Sequence, residues 1–97
     1  MNLTKSFFDN LDNKQFQLQI GEEEYLELKL VEINSIKSET IPNGQAEPFS
    51  LLFQSTDQRV FEQNTFLMKS DSTDDIFLFL VPIGANEQGT QYEAIFT

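Results

Sequence analysis

Two carboxylate clusters are the first residues in this chain that could do chemistry. Glu22, Glu23 and Glu24 follow Gly21, and Asp71, Asp74 and Asp75 fall within "SDSTDD". A carboxylate pair can serve as acid and base in glycoside cleavage when a cleft gives its members unequal pKa values. Both clusters lie in hairpin-tip sequences, where water solvates each carboxylate alike, so both read as charged turns. "DSTDD" offers oxygens to Ca²⁺ but lacks the DxDxDG spacing of a calcium loop. The chain has no His and no Cys. Ser–His–Asp and Cys–His nucleophiles and Cys/His zinc sites are therefore excluded. Neither GxxxxGK(S/T) nor GxGxxG occurs, so no phosphate-cradling loop is visible. The expectation is a protein that is not an enzyme and carries no cofactor or metal.

Composition narrows the partners. Sixteen acidic residues oppose six basic ones, for a formal net charge of −10. Lys5, Lys14, Lys29, Lys37, Arg59 and Lys69 are scattered and form no basic stripe. Nucleic-acid phosphates and anionic membranes would be repelled, so neither is an expected partner. The acidity reads first as solubility, and more sharply as a basic partner or nucleic-acid mimicry. The N-terminus "MNLTKSFFDNLDNK" has no apolar core of signal-peptide length, and no apolar run approaches a membrane span. With no Cys besides, the expected location is the cytoplasm. Ten Phe and two Tyr are the only aromatics. Phe gains burial without a polar tip to satisfy, which suits a small β core.

The 97 residues are enough for one domain and one core, so residues 1–97 read as a single β-rich unit. Residues 1–13 read as a short helix of about two turns. Thr4 is its N-cap, Leu3 and Phe8 its hydrophobic staple, and Phe7, Phe8 and Leu11 its apolar face. Such a helix must dock, and covering an open end of the sheet is the expected place. Residues 14–97 read as antiparallel strands. "KQFQLQI" alternates Phe16, Leu18 and Ile20 against Gln15, Gln17 and Gln19. In "YLELKLVEI" the apolar phase flips between Leu30 and Val31, which predicts a bulge or bend there. Ser38–Glu47 reads as the longest loop. "PFSLLFQ" is a third strand, and "STDQRVFEQN" is irregular with an extended piece at Val60–Phe61. "TFLMK" is a fourth strand and "SDSTDD" a turn. "IFLFLVPI" is a fifth strand whose Pro82 marks an edge or bulge. "GANEQGT" turns the chain, and "QYEAIF" closes it with Tyr92, Ala94 and Phe96 on one face. Tyr25 and Tyr92 read as rim aromatics. Five or six strands with short turns predict a meander curled into a small antiparallel barrel or sandwich.

"PFSLLFQ" and "IFLFLV" are apolar in both phases. One phase lines the core. The other needs a cover from the helix, from the Ser38–Glu47 loop, or from another molecule. The candidate interaction face drawn from these runs is Phe49, Leu51, Leu52, Phe53, Ile76, Leu78 and Leu80. The function expected is a structural or protein-interaction module that binds a protein partner or itself. The alternatives are a small-ligand-binding barrel with a Phe-rich interior and, further off, a carboxylate-based hydrolase or an acidic nucleic-acid mimic.

The order of the blocks "LELKLVEI", "PFSLLF", "FLFLVPIG" and "YEAIF" resembles a family of small uncharacterised bacterial proteins, catalogued as a domain of unknown function. The matching segments are Pro48–Phe53, Phe79–Gly84 and Tyr92–Phe96, after the strand at residues 26–33. The resemblance covers most of the chain and consists of strand blocks, with no catalytic signature. Members look like small β proteins often encoded beside proteins with phage-tail-collar-type domains. The resemblance thus implies an assembly or accessory role in a phage-tail-like system.

Overall fold

A computed structural model of the protein describes residues 3–36 and 48–96. The described residues form one short helix, α1 (Lys5–Asp9), and six strands. These are β1 (Gln15–Gln19), β2 (Tyr25–Ser35), β3 (Phe49–Ser55), β4 (Asn64–Ser70), β5 (Thr73–Asn86) and β6 (Gly89–Phe96). All neighbouring strands are antiparallel, and the sheet closes on itself in the order β1-β2-β3-β6-β5-β4. The expectation of a mainly β, antiparallel fold with a short N-terminal helix holds. The loop expected at Ser38–Glu47 lies outside the described residues.

Local chemistry explains the elements. Thr4 caps α1, its hydroxyl accepting from the Phe7 N–H at 3.2 Å. The helix is shorter than the residue 1–13 span expected, because apolar spacing alone does not close a second turn. Lys14 donates to the carbonyls of Asp9 (3.2 Å) and Leu11 (2.7 Å), groups that no further turn would satisfy. Register shifts fall between Leu30 and Glu32 and between Pro82 and Gly84, so both anticipated bulges are present. They bend the two longest strands. The strands outrun their apolar cores. β5 begins at Thr73 and ends at Asn86, leaving two-residue turns at 71–72 and 87–88 where longer turns were expected. Val60 and Phe61 belong to no strand.

The topology differs from a simple meander. β1, β2 and β3 form one meander and β4, β5 and β6 another, joined by β1–β4 and β3–β6 pairing. The ring order β4-β1-β2-β3 is a Greek key. β3 and β4 therefore stand opposite each other, and residues 56–63 must cross the mouth between them. Eight residues reach at most about 29 Å. That suffices for a cross-section of 27 × 22 Å.

Side chains tie this crossing down. The Ser55 hydroxyl donates to the Asp57 carbonyl (3.1 Å) and accepts from the Thr90 N–H (3.2 Å). The Thr90 hydroxyl reaches the carbonyls of Asp57 and Arg59, each at 3.2 Å. The Tyr92 hydroxyl accepts from the Phe61 N–H at 3.1 Å. Ser55, Thr90 and Tyr92 are fully buried, so the protein side of each bond is shielded from water. Gly89 makes the approach possible. Its φ is +146°, and a Cβ there would collide with the Ser55 carbonyl oxygen.

The opposite end is closed by α1. Phe8 is buried against Phe49 and Phe96, with ring centroids 6.0 and 5.8 Å away. Phe49 and Phe96 stack at 4.5 Å. Between the two ends the interior holds Phe16, Leu18, Leu28, Leu51, Phe53, Met68 and Leu80, none with measurable exposure.

Urea unfolding tests the crossing. Gly89→Ala is expected to cost more than about 2 kcal/mol, because both backbone and contact forbid a side chain. Tyr92→Phe keeps the ring and is expected to cost about 1 kcal/mol for one hydrogen bond. A Gly89→Ala protein with wild-type stability would show that the crossing is not held as described.

Candidate functional site

The alternation of each strand decides which residues a partner could meet. Phe49, Leu51, Phe53, Ile76, Leu78 and Leu80 are buried and point into the ring. Leu52 alone among the seven candidates points outward, and it is half-buried. The candidate face is thereby corrected. The inward phase of β3 and β5 fills the core, and the outward phase is what remains available. On β5 that phase is Phe77 and Phe79, which are 66% and 53% exposed.

Register assembles the outward residues into a surface. Leu67 pairs with Phe77 and Thr65 with Phe79. Val81 pairs with Glu93, Glu93 with Leu52, and Leu52 with Glu32. Ile95, 59% exposed, pairs with Ser50 and follows Glu93 on the same face of β6. Leu67, Phe77, Phe79 and Ile95 thus form an apolar area across β4, β5 and β6. Val81 and Leu52 extend it along the Glu93 row. Helix α1 covers an end of the ring and leaves this side open. On the face itself a partner would meet side chains, and β5 pairs with β6 from Val81 to Asn86.

The carboxylate clusters part company. Glu22, Glu23 and Glu24 are exposed in the β1–β2 turn, and Glu24 reaches Arg59 at 3.6 Å. Asp71 and Asp75 line an outer cleft of about 320 Å³ with Asn13, Gln15, Gln17, Glu27, Lys69 and Ser70. Asp74 is not part of that lining. Glu27 was not singled out from the sequence, because its place in the β2 alternation marks it only as outward. Here the side-chain amides of Gln15 and Gln17 donate to its two oxygens at 3.0 and 3.1 Å. Lys69 lies 3.9 Å from Asp75 and 5.7 Å from the Tyr25 ring. Among the described residues no three acidic side chains are placed to share a metal ion.

The two tyrosines separate as well. Tyr25 is 40% exposed on the outside of β2, as a rim residue would be. Tyr92 is no rim residue. It is fully buried, and its hydroxyl holds the crossing segment. That segment carries an ion pair of its own. Arg59 grips Asp57 through two nitrogens, with Nη2 at 2.7 Å and Nε at 3.1 Å, and lies over the Phe61 ring. These side-chain hydrogen bonds hold the Asp57 carboxyl below its ordinary value of 3.8 and raise the Arg59 guanidinium.

The fold and surface define a class. This is a closed ring of six antiparallel strands, sealed at both ends, with an apolar area on its outside. The chain belongs to the family described as Domain of unknown function (DUF6916), whose pattern matches residues 3–96. No curated protein and no solved structure matches it. Among the described residues no helix is long and apolar enough to cross a membrane.

The Asp57–Arg59 pair makes a pH prediction. A folded-state pKa below the unfolded value adds stability above the unfolded value, and the gain is lost as pH falls through the folded one. The window is therefore acidic, below the ordinary Asp range, and the effect is small because the pair is exposed to solvent. NMR titration of the Asp57 carboxyl is expected to give a midpoint below 3.8. In Arg59→Gln the midpoint is expected to rise toward the ordinary value. An unchanged midpoint in that variant would refute the assignment.

Proposed function

We propose that this protein is a non-enzymatic interaction module that docks a protein partner on the outer face of β4, β5 and β6. The narrower reading, an assembly or accessory factor of a phage-tail-like system, follows from the family resemblance. The observation that carries the docking reading is the pair Phe77 and Phe79, more than half exposed on a sheet face with Leu67 and Ile95 beside them. Aromatic side chains on an exposed apolar area are the usual anchors of protein interfaces. A small-ligand barrel would need an open interior. The interior positions here hold Phe16 and Phe53 edge to face at 5.6 Å, with Met68 and Tyr92 also buried.

Indole is a suitable first probe, because it mimics an aromatic anchor. Titrated into the labelled protein, it is expected to shift the amide signals of Leu67, Phe77, Phe79 and Ile95. The variant Phe77→Ser/Phe79→Ser is expected to lose these shifts while keeping its stability within about 1 kcal/mol, since both rings are largely in water already. Shifts centred on interior residues would favour the ligand-binding alternative and overturn the docking face.

A further inference from the structure

The outer cleft of about 320 Å³ is a separate feature, and it does not depend on the docking face. A row of four side chains crosses it, one from each of four strands: Asp75 on β5, Lys69 on β4, Gln17 on β1 and Glu27 on β2. No apolar side chain takes part in the lining. The lining is held before any ligand arrives. Gln15 and Gln17 donate to the two Glu27 oxygens at 3.0 and 3.1 Å. Asn13 is tied twice: its N–H donates to the Ser72 hydroxyl, and its Oδ1 accepts from the Gln15 N–H, each at 2.8 Å. Charge is close to balanced. Glu27, Asp71 and Asp75 share the cleft with Lys69, and Lys29 stands opposite Gln15 in register. On the outside of β2, Tyr25 precedes Glu27 on the same face, its ring 5.7 Å from the Lys69 ammonium.

We propose that this cleft binds a neutral saccharide of one or two rings. Lipids and other apolar ligands need apolar walls, which the cleft lacks. A phosphate or carboxylate ligand would meet three carboxylates, and an organic cation would meet Lys69 and Lys29. A sugar hydroxyl avoids both penalties, because it donates one hydrogen bond and accepts others. The carboxylates and amide carbonyls of the lining accept from it, and Lys69 and the amide N–H groups donate to it. Hydrogen bonds to ionised partners are the stronger kind. A planar carboxylate or amide offers two polar atoms side by side, which matches neighbouring hydroxyls on a sugar ring. The exposed Tyr25 ring adds a flat apolar surface beside the cleft for the C–H face of that ring. Because the lining is already held, binding loses little side-chain freedom. The volume lies at the small end of the range for ligand sites, about 300–1,000 Å³, which sets the limit on ligand size.

Glucose, galactose, mannose, N-acetylglucosamine, maltose and lactose are the probes, each titrated into the isotopically labelled full chain and followed by NMR. At least one is expected to give saturable amide shifts at Gln15, Gln17, Glu27 and Lys69, with a Kd of about 1 mM. Gln17→Ala and Tyr25→Ser are each expected to weaken that sugar about tenfold. Both side chains are exposed, so thermal unfolding should show both variants folded. Glu22→Gln/Glu23→Gln in the β1–β2 turn and Phe77→Ser/Phe79→Ser on the docking face should leave sugar binding unchanged. Putrescine and inorganic phosphate are the charged controls. Either of them shifting the cleft amides more strongly than every sugar would overturn a neutral ligand. Sugar binding that ignores Gln17→Ala and Tyr25→Ser, or that is lost with the Phe substitutions, would place the sugar elsewhere and overturn the cleft. Absence of saturable shifts with all of these sugars would overturn the proposal, and the indole result at Phe77 and Phe79 would stand or fall by itself.

Discussion

The placement of β3 and β4 on opposite sides of the ring is the constraint from which the rest follows. The chain must span the mouth once, in eight residues, and the span must be held. Ser55, Thr90 and Tyr92, all fully buried, hold it by hydrogen bonds to its backbone and to one another. A hydroxyl or amide left unpaired there costs about 1–3 kcal/mol, so each of the three contributes to holding the span. Gly89 is required because the β6 backbone comes too close to Ser55 for any side chain. A connection that would otherwise be a mobile surface loop becomes the lid of the core.

Closing the other mouth needed a different device. There a five-residue helix supplies one large side chain, Phe8, to the space beside Phe49 and Phe96. With both mouths filled, the apolar interior is complete without help from the outer faces. That independence explains how aromatic residues can stand outside on β5. Phe77 and Phe79 add nothing to the core. They lie in water on a fold that is already closed, at the usual cost of an exposed apolar area in solubility. A chain with net charge −10 bears that cost more easily than a neutral one.

Much of this could be read along the chain. The Thr4 cap depends on a hydroxyl three residues before an orphan amide, which is local chemistry. β1 alternates Gln with Phe and Leu, and its burial follows that alternation. The bulges beside Val31 and Pro82 showed as a flipped phase and as a residue with no N–H to donate. Turn lengths were less legible. Thr73, Asp74 and Asp75 look like turn residues, but pairing of Thr73 with Ser70 and of Ile76 with Met68 carries the strand through them at a register shift.

The sites divide along the same line. Period-two alternation separates the two faces of a strand only when one face is polar. β6 passes that test, since Glu93 between Tyr92 and Ala94 announces which way is out. β5 fails it, because Phe77, Leu78, Phe79 and Leu80 are equally apolar, and so the candidate face was drawn on the buried phase. The residue sequence alone specified the period, the composition, the charge and the chemistry that His and Cys would have allowed. Tertiary pairing alone chose which β5 phase faces water, moved Tyr92 from rim to latch, and gathered Glu27 with Asp71 and Asp75. Those outcomes depend on which strands become neighbours around the ring, and neighbours distant along the chain leave no mark on local periodicity.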